Sequence, residues 1–87
     1  MYRIAETESF VKNITKKKLG KIHEKLRNDI YPVLRKDPFY GPNIKKLVGN
    51  LDGFYRYRVG NYRLVYTVDE EEEIIFLSEF VHRKNAY

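Results

Sequence analysis

The chain has 87 residues, 43% of them hydrophobic and 15% aromatic, with no cysteine and a formal charge of +5. That length holds one small domain, residues 1–87, able to bury about 60–65% of its unfolded surface, and the composition excludes a disordered polymer, a disulfide scaffold and thiolate-bound metal. No apolar run approaches the ~18 residues that cross a membrane, and Met1-Tyr2-Arg3-Ile4 enters strand-like sequence without a signal-peptide core, so a cytoplasmic protein with no membrane partner is expected.

Tyr2 to Ala5 reads as a short first strand. Thr7 or Ser9 follows as a helix N-cap, with Glu8 near the positive end of the dipole. Phe10, Val11 and Ile14 then make one apolar stripe. Leu19, Ile22, Leu26 and Ile30, three or four apart, form a second stripe between lysine-rich faces, which predicts a second helix packed on a sheet. His23 flanks that stripe and is expected at its solvent edge. Pro32 predicts an end or kink near Tyr31, with Val33 and Leu34 adding at most one turn. From Lys36 to Gly53, the residues Pro38, Gly41, Pro42, Gly49 and Gly53 predict a long, partly ordered loop. Strands are then predicted at Phe54 to Val59, Tyr62 to Val68 and Ile74 to Val81. The expected class is α+β in the order β-α-α-β-β-β. An antiparallel three-strand meander and the N-terminal strand form one twisted sheet, with a helical hairpin packed on one face.

The run FYRYRVGNYRLVY, residues 54–66, carries the most information. Gly60-Asn61 suits a two-residue hairpin turn, and loop length then fixes the register. Val59 pairs with Tyr62, Tyr57 with Leu64 and Tyr55 with Tyr66, so one face is wholly apolar or aromatic. The other face carries Arg56 and Arg58, with Arg58 directly across from Arg63. Like charges so placed cost roughly 0.2–1 kcal/mol, which makes this face the first place to look for an anionic partner.

Five of the twelve acids are contiguous, Asp69 to Glu73, and read as a solvated hairpin tip. The other 82 residues carry seventeen basic side chains against seven acidic ones, a net +10. Such a surface attracts a phosphate backbone, or serves as ordinary solubilising charge. In the last strand, alternation sets Ile75, Leu77, Glu79, Val81 and Arg83 on one face and Ile74, Phe76, Ser78, Phe80 and His82 on the other. Phe76 and Phe80 are expected in the core, which puts Glu79 and Arg83 on the arginine face. His82 then reaches that face only through fraying or a bulge. Two histidines far apart in sequence, with no cysteine, make no metal ligand set, and no cofactor is expected.

The apolar helical hairpin, the segment KKLVGNLDGFYRYRVGNYRLVY and the terminal HRKNAY together resemble the RelE/ParE toxin superfamily, over nearly the whole chain and most specifically over residues 45–87. The resemblance is to the RelE branch, toxins of type II toxin–antitoxin pairs that enter the ribosomal A site and cut messenger RNA; ParE members poison DNA gyrase instead. It implies that Arg56 and Arg58 stand where RelE has two catalytic lysines, that Arg63 matches the arginine of its Tyr-Arg-Leu-Val-Tyr motif, and that Arg83 and Tyr87 match its terminal arginine and tyrosine. An antitoxin partner and ribosome contacts are implied too, the 16S ribosomal RNA being held by Lys12, Lys16, Lys17, Lys18, Lys21 and Lys25, with Lys45 and Lys84 as further RNA-binding residues. The free toxin is expected to be a monomer.

Cleavage of RNA by its own 2′-hydroxyl needs one proton removed, one supplied and a crowded phosphorane stabilised. Guanidinium groups suit the last task, but arginine cannot serve as a base. The candidates for proton transfer are His82, Glu79, Tyr87, Lys45 and Lys46. His82 titrates in the right range but equally suits a hydrogen-bonded strand end. Glu79 is either a base or the ion-pair partner of Arg63. Two other functions remain open: a ParE-like gyrase inhibitor, and a catalytically weak homologue that binds RNA or antitoxin.

Overall fold

The computed structural model describes residues 1–85. Among the described residues five strands, β1 (Arg3–Glu6), β2 (Ile44–Lys46), β3 (Tyr55–Val59), β4 (Tyr62–Asp69) and β5 (Ile74–His82), form one sheet in the order β1-β5-β4-β3-β2. The meander β3-β4-β5 is antiparallel, and β1 adds to β5 in parallel, Arg3 opposite Ile74 and Glu6 opposite Leu77. The hairpin has the register its turn dictates: Val59 faces Tyr62, Arg58 faces Arg63, and Gly60 adopts φ +58°.

One strand lies where a loop was expected. Ile44–Lys46 pairs antiparallel with β3, Lys45 opposite Arg56 and Lys46 opposite Tyr55. The Asn43 carbonyl extends this ladder, accepting the Arg58 backbone N–H at 2.9 Å. The edge strands of the sheet among the described residues are therefore β1 and β2.

Helix α1 (Glu8–Lys16) begins at Thr7, whose extended backbone lets its Oγ1 accept the Phe10 N–H while its hydroxyl donates to the Leu77 carbonyl. The cap thus fixes the helix start against β5. Phe10 and Ile14 are buried, whereas Val11, expected beside them, is 41% exposed. Helix α2 (Gly20–Lys25), a π-helical turn (Leu26–Ile30) and α3 (Tyr31–Lys36) follow one another without a break. Of the end or kink expected near Tyr31, the end does not occur; the helix continues past Pro32 after an irregular turn. The wide turn, in which the Tyr31 N–H reaches the Leu26 carbonyl, accommodates the proline ring and its missing donor.

The helices cover one sheet face. Their buried residues Phe10, Ile14, Leu26, Ile30, Tyr31 and Leu34 meet Leu64, Tyr66, Ile75, Leu77 and Phe80 from the strands. Simple alternation does not describe β5. Val65 pairs with Glu79 but Tyr66 with Leu77, which leaves Ser78 as an extra, bulged residue. Before the bulge Ile75 and Leu77 face the core; after it Phe80 does. Phe76, expected in the core, instead lies 36% exposed on the open face. Asn13 of α1 and Lys17, the residue that caps its C-terminus, complete the bulged backbone: Asn13 Oδ1 accepts the Phe80 N–H at 2.8 Å and Lys17 Nζ donates to the Phe80 carbonyl at 3.2 Å.

Candidate functional site

The face of the sheet away from the helices carries the arginines. Across four strands the register aligns Lys45, Arg56, Val65 and Glu79 in one row, and Arg58, Arg63 and Val81 in the next. Arg56 is half-buried and donates through Nη1 to the Asn43 carbonyl at 2.8 Å. Arg63, also half-buried, makes one long bond of 3.4 Å to the Tyr62 carbonyl, and Arg58 is exposed. Glu79 stands on the same face, yet no ion pair joins it to Arg63 among the described residues. The row therefore keeps its positive charge available.

The proton-transfer candidates separate by face. Lys45 and Glu79 flank the arginines. Lys46 pairs with Tyr55 and lies on the aromatic face. His82 pairs with Tyr62, again on the aromatic side, with its ring edge-on at 5.2 Å and its Nδ1 accepting the Lys84 N–H at 3.2 Å. After β5 the chain turns into a short 3-10 segment (Arg83–Asn85), whose Arg83 N–H donates to the Asn61 carbonyl at 2.8 Å. That bond brings exposed Arg83 to the hairpin turn, at the same end of the sheet as Arg58 and Arg63. Tyr87 lies outside the described residues.

Beside the arginine row the same face is apolar. Leu51, Phe54 and Val65, with Thr7, Ser78 and Glu79, line a hollow of about 480 Å³. On the helical side Lys12, Lys16, Lys18, Lys21 and Lys25 are exposed; Lys12 pairs with Glu8 one turn away, at 3.0 Å, and Lys17 is engaged by Phe80. No group of three or more histidine, cysteine or carboxylate side chains is placed to hold a metal among the described residues.

A second polar cluster was not anticipated. His23 is half-buried, with Nε2 2.6 Å from Glu6 Oε2, and its ring packs edge-on against Phe10. Tyr31 donates to the same Glu6 oxygen at 2.7 Å. Burial raises the Glu6 carboxyl, but the bonds from His23 and Tyr31 outweigh it and hold the group below its ordinary value. Burial, followed by that carboxylate, pushes the Tyr31 phenol far up. The cluster ties β1 to the long helix and faces away from the arginines.

The profile of the ParE toxin of type II toxin–antitoxin systems, parDE, matches residues 3–87. The chain belongs to this toxin family. A search of curated protein sequences finds no match. Among solved structures the toxin is similar to the toxin–antitoxin complex RelBE2 from Mycobacterium tuberculosis, at 26% identity over 94% of this chain and 98% of that one, TM-score 0.72. It is similar in fold to a metal-bound toxin from Helicobacter pylori, at 20% identity over all of both chains, TM-score 0.79. A YoeB–YefM complex from Staphylococcus aureus shares the fold at 24% identity over 94% and 97%, TM-score 0.69.

Proposed function

We propose that this toxin is a ribosome-dependent endoribonuclease that cuts messenger RNA in the A site. The observation that carries the reading is the cationic patch of Arg56, Arg58 and Arg63 on one open face, two of them opposed across the ladder and none in an ion pair among the described residues. In the proposed reaction the 2′-oxygen loses its proton and attacks the adjacent phosphorus. The P–O5′ bond then breaks, leaving a 2′,3′-cyclic phosphate and a 5′-hydroxyl that takes up a proton. Arg58 and Arg63 hold the equatorial oxygens of the phosphorane, each guanidinium offering two donors at fixed geometry. Glu79 is suited to take the 2′-proton and Lys45 to supply one, since both stand in the row beside the arginines. Arg83 adds charge at the hairpin end, and Tyr87 offers a ring for stacking on a base. His82, bonded to the Lys84 amide, acts here by ordering the chain that carries Arg83.

The helix lysines are read as contacts to 16S ribosomal RNA, and the site of action as cytoplasmic. An acidic antitoxin segment fits the same face, its carboxylates against the arginines and its apolar side chains in the hollow beside Phe54 and Val65. The family profile itself favours a second reading, in which the toxin binds DNA gyrase and performs no chemistry. Primer extension on messenger RNA bound to programmed ribosomes, run beside a gyrase supercoiling assay, separates the two. Discrete A-site breaks with unaffected supercoiling are expected. Intact messenger RNA with inhibited supercoiling would overturn the proposal.

A further inference from the structure

A separate feature lies on the aromatic side of the sheet, at the end away from the hairpin turn. Phe39, Tyr40, Tyr55, Lys46 and Glu70 line a hollow of about 420 Å³. Tyr55 is three residues from Arg58, roughly 10 Å along the strand, and points to the opposite face, so the arginine chemistry does not use this hollow.

The loop that forms its wall is fixed. Asp37 Oδ1 accepts the Phe39 and Tyr40 N–H groups at 2.9 and 3.3 Å, and the Tyr66 hydroxyl donates to the Pro38 carbonyl at 2.7 Å. Pro38 is fully buried, and Phe39 packs edge-on between Tyr2 and Tyr55 at 6.0 and 5.5 Å. This well-tethered loop nevertheless presents Tyr40 with 80% of its surface exposed. Because the backbone that carries this ring is already fixed, covering Tyr40 costs only its side-chain rotamer freedom, which suits an interface anchor. On the other side of Tyr40, Pro32, Val33 and Lys36 line a second hollow of about 290 Å³.

Charge selects the occupant. The toxin is basic overall, but this end carries Asp37 and the run Asp69 to Glu73, which contributes Glu70 to the hollow. The carboxylates of Glu70, Glu73 and Asp37 all bear on the nearby Tyr2 phenol, adding to burial in pushing it up. Phosphates are repelled from such an end, whereas a delocalised cation gains both the ring faces and the carboxylate. Lys46 also lines the hollow; its long stem packs while its ammonium can turn to water, and no ion pair joins it to Glu70 among the described residues.

We infer that the hollow at Tyr40 docks a basic segment of a protein partner, an arginine side chain entering among Phe39, Tyr40 and Tyr55 toward Glu70, with an adjacent apolar side chain against Pro32 and Val33. The test is a heteronuclear NMR titration of the full chain with a capped Gly-Arg-Leu-Gly peptide. Its controls are the same peptide with citrulline for arginine, and a five-nucleotide single-stranded RNA. Saturable shifts at Tyr40, Tyr55 and Glu70 are expected with the arginine peptide alone. Affinity should fall at least about tenfold in Tyr40→Ala and in Glu70→Gln, both exposed positions whose unchanged spectra elsewhere would report an intact fold. Equal shifts with citrulline, retained affinity in both variants, no saturable shift at the hollow, or saturation by the RNA instead would each overturn the inference.

Discussion

At the scale of single residues, the opposed pair Arg58 and Arg63 sets two effects against each other. In the free toxin the pairing is repulsive, and no carboxylate neutralises it among the described residues. Replacing either arginine with Gln should leave stability level or raise it by a few tenths to about 1 kcal/mol, measured by urea unfolding. Cleavage should fall about 10²–10³-fold, because the transition-state charge loses a preorganised donor. A loss of stability greater than ~1 kcal/mol would mark the arginines as structural. Glu6 gives an independent prediction. A carboxyl held below its ordinary value stabilises the fold at neutral pH, and that contribution disappears as pH falls through the lowered folded value. The Glu6→Gln variant should therefore lose stability at pH 7 and show a shallower acid limb than wild type. Parallel acid limbs would remove Glu6 from the linkage.

At the scale of elements, the β5 bulge depends on α1. Asn13→Ala would leave the Phe80 N–H without its partner, and should cost about 1–3 kcal/mol in denaturant unfolding. Asn13→Asp, which keeps an acceptor, should cost less, and equal losses would assign the effect to the helix instead. The same bulge marks where reading from sequence stops. Register around Gly60-Asn61 was legible because a two-residue turn leaves one pairing, so Arg56, Arg58 and Arg63 could be placed on one face from sequence. Parity along residues 74–82 was not, since alternation assumes no inserted residue and Ser78 is one; Phe76 was misplaced as a result, while Glu79 kept its face. The three residues of β2 are too few to show a period among Pro38, Gly41 and Pro42, so nothing in sequence separated Lys45, on the arginine side, from Lys46. Pro32 was legible as a perturbation but not as a π-turn, because both a helix end and a widened turn relieve the same missing donor. The Glu6, His23 and Tyr31 cluster joins β1 to the long helix, a contact between distant segments that leaves no local pattern.

At the scale of the whole molecule, charge is distributed by end and by face. The arginine face and the exposed lysines of the helices are basic, while the β4-β5 tip concentrates five of the twelve acids. The sheet has open edges, yet β2 spans three residues and two of them are lysines, which blunts it against pairing with a second copy. The free toxin should therefore sediment as a monomer at micromolar concentration, and a stable dimer there would show that an edge or the apolar hollow pairs with itself. Among the described residues no helix is long and apolar enough to cross a membrane. The central claim, that this family member breaks RNA through its arginine face, is tested most directly by changing one atom of the substrate. Messenger RNA carrying a single 2′-deoxynucleotide at the A-site cleavage position should bind programmed ribosomes and toxin as before but stay uncut there by primer extension. The unmodified message should be cut by wild type and spared by Arg58→Gln and Arg63→Gln. Cleavage at the deoxy position, or undiminished cutting by both variants, would contradict the account.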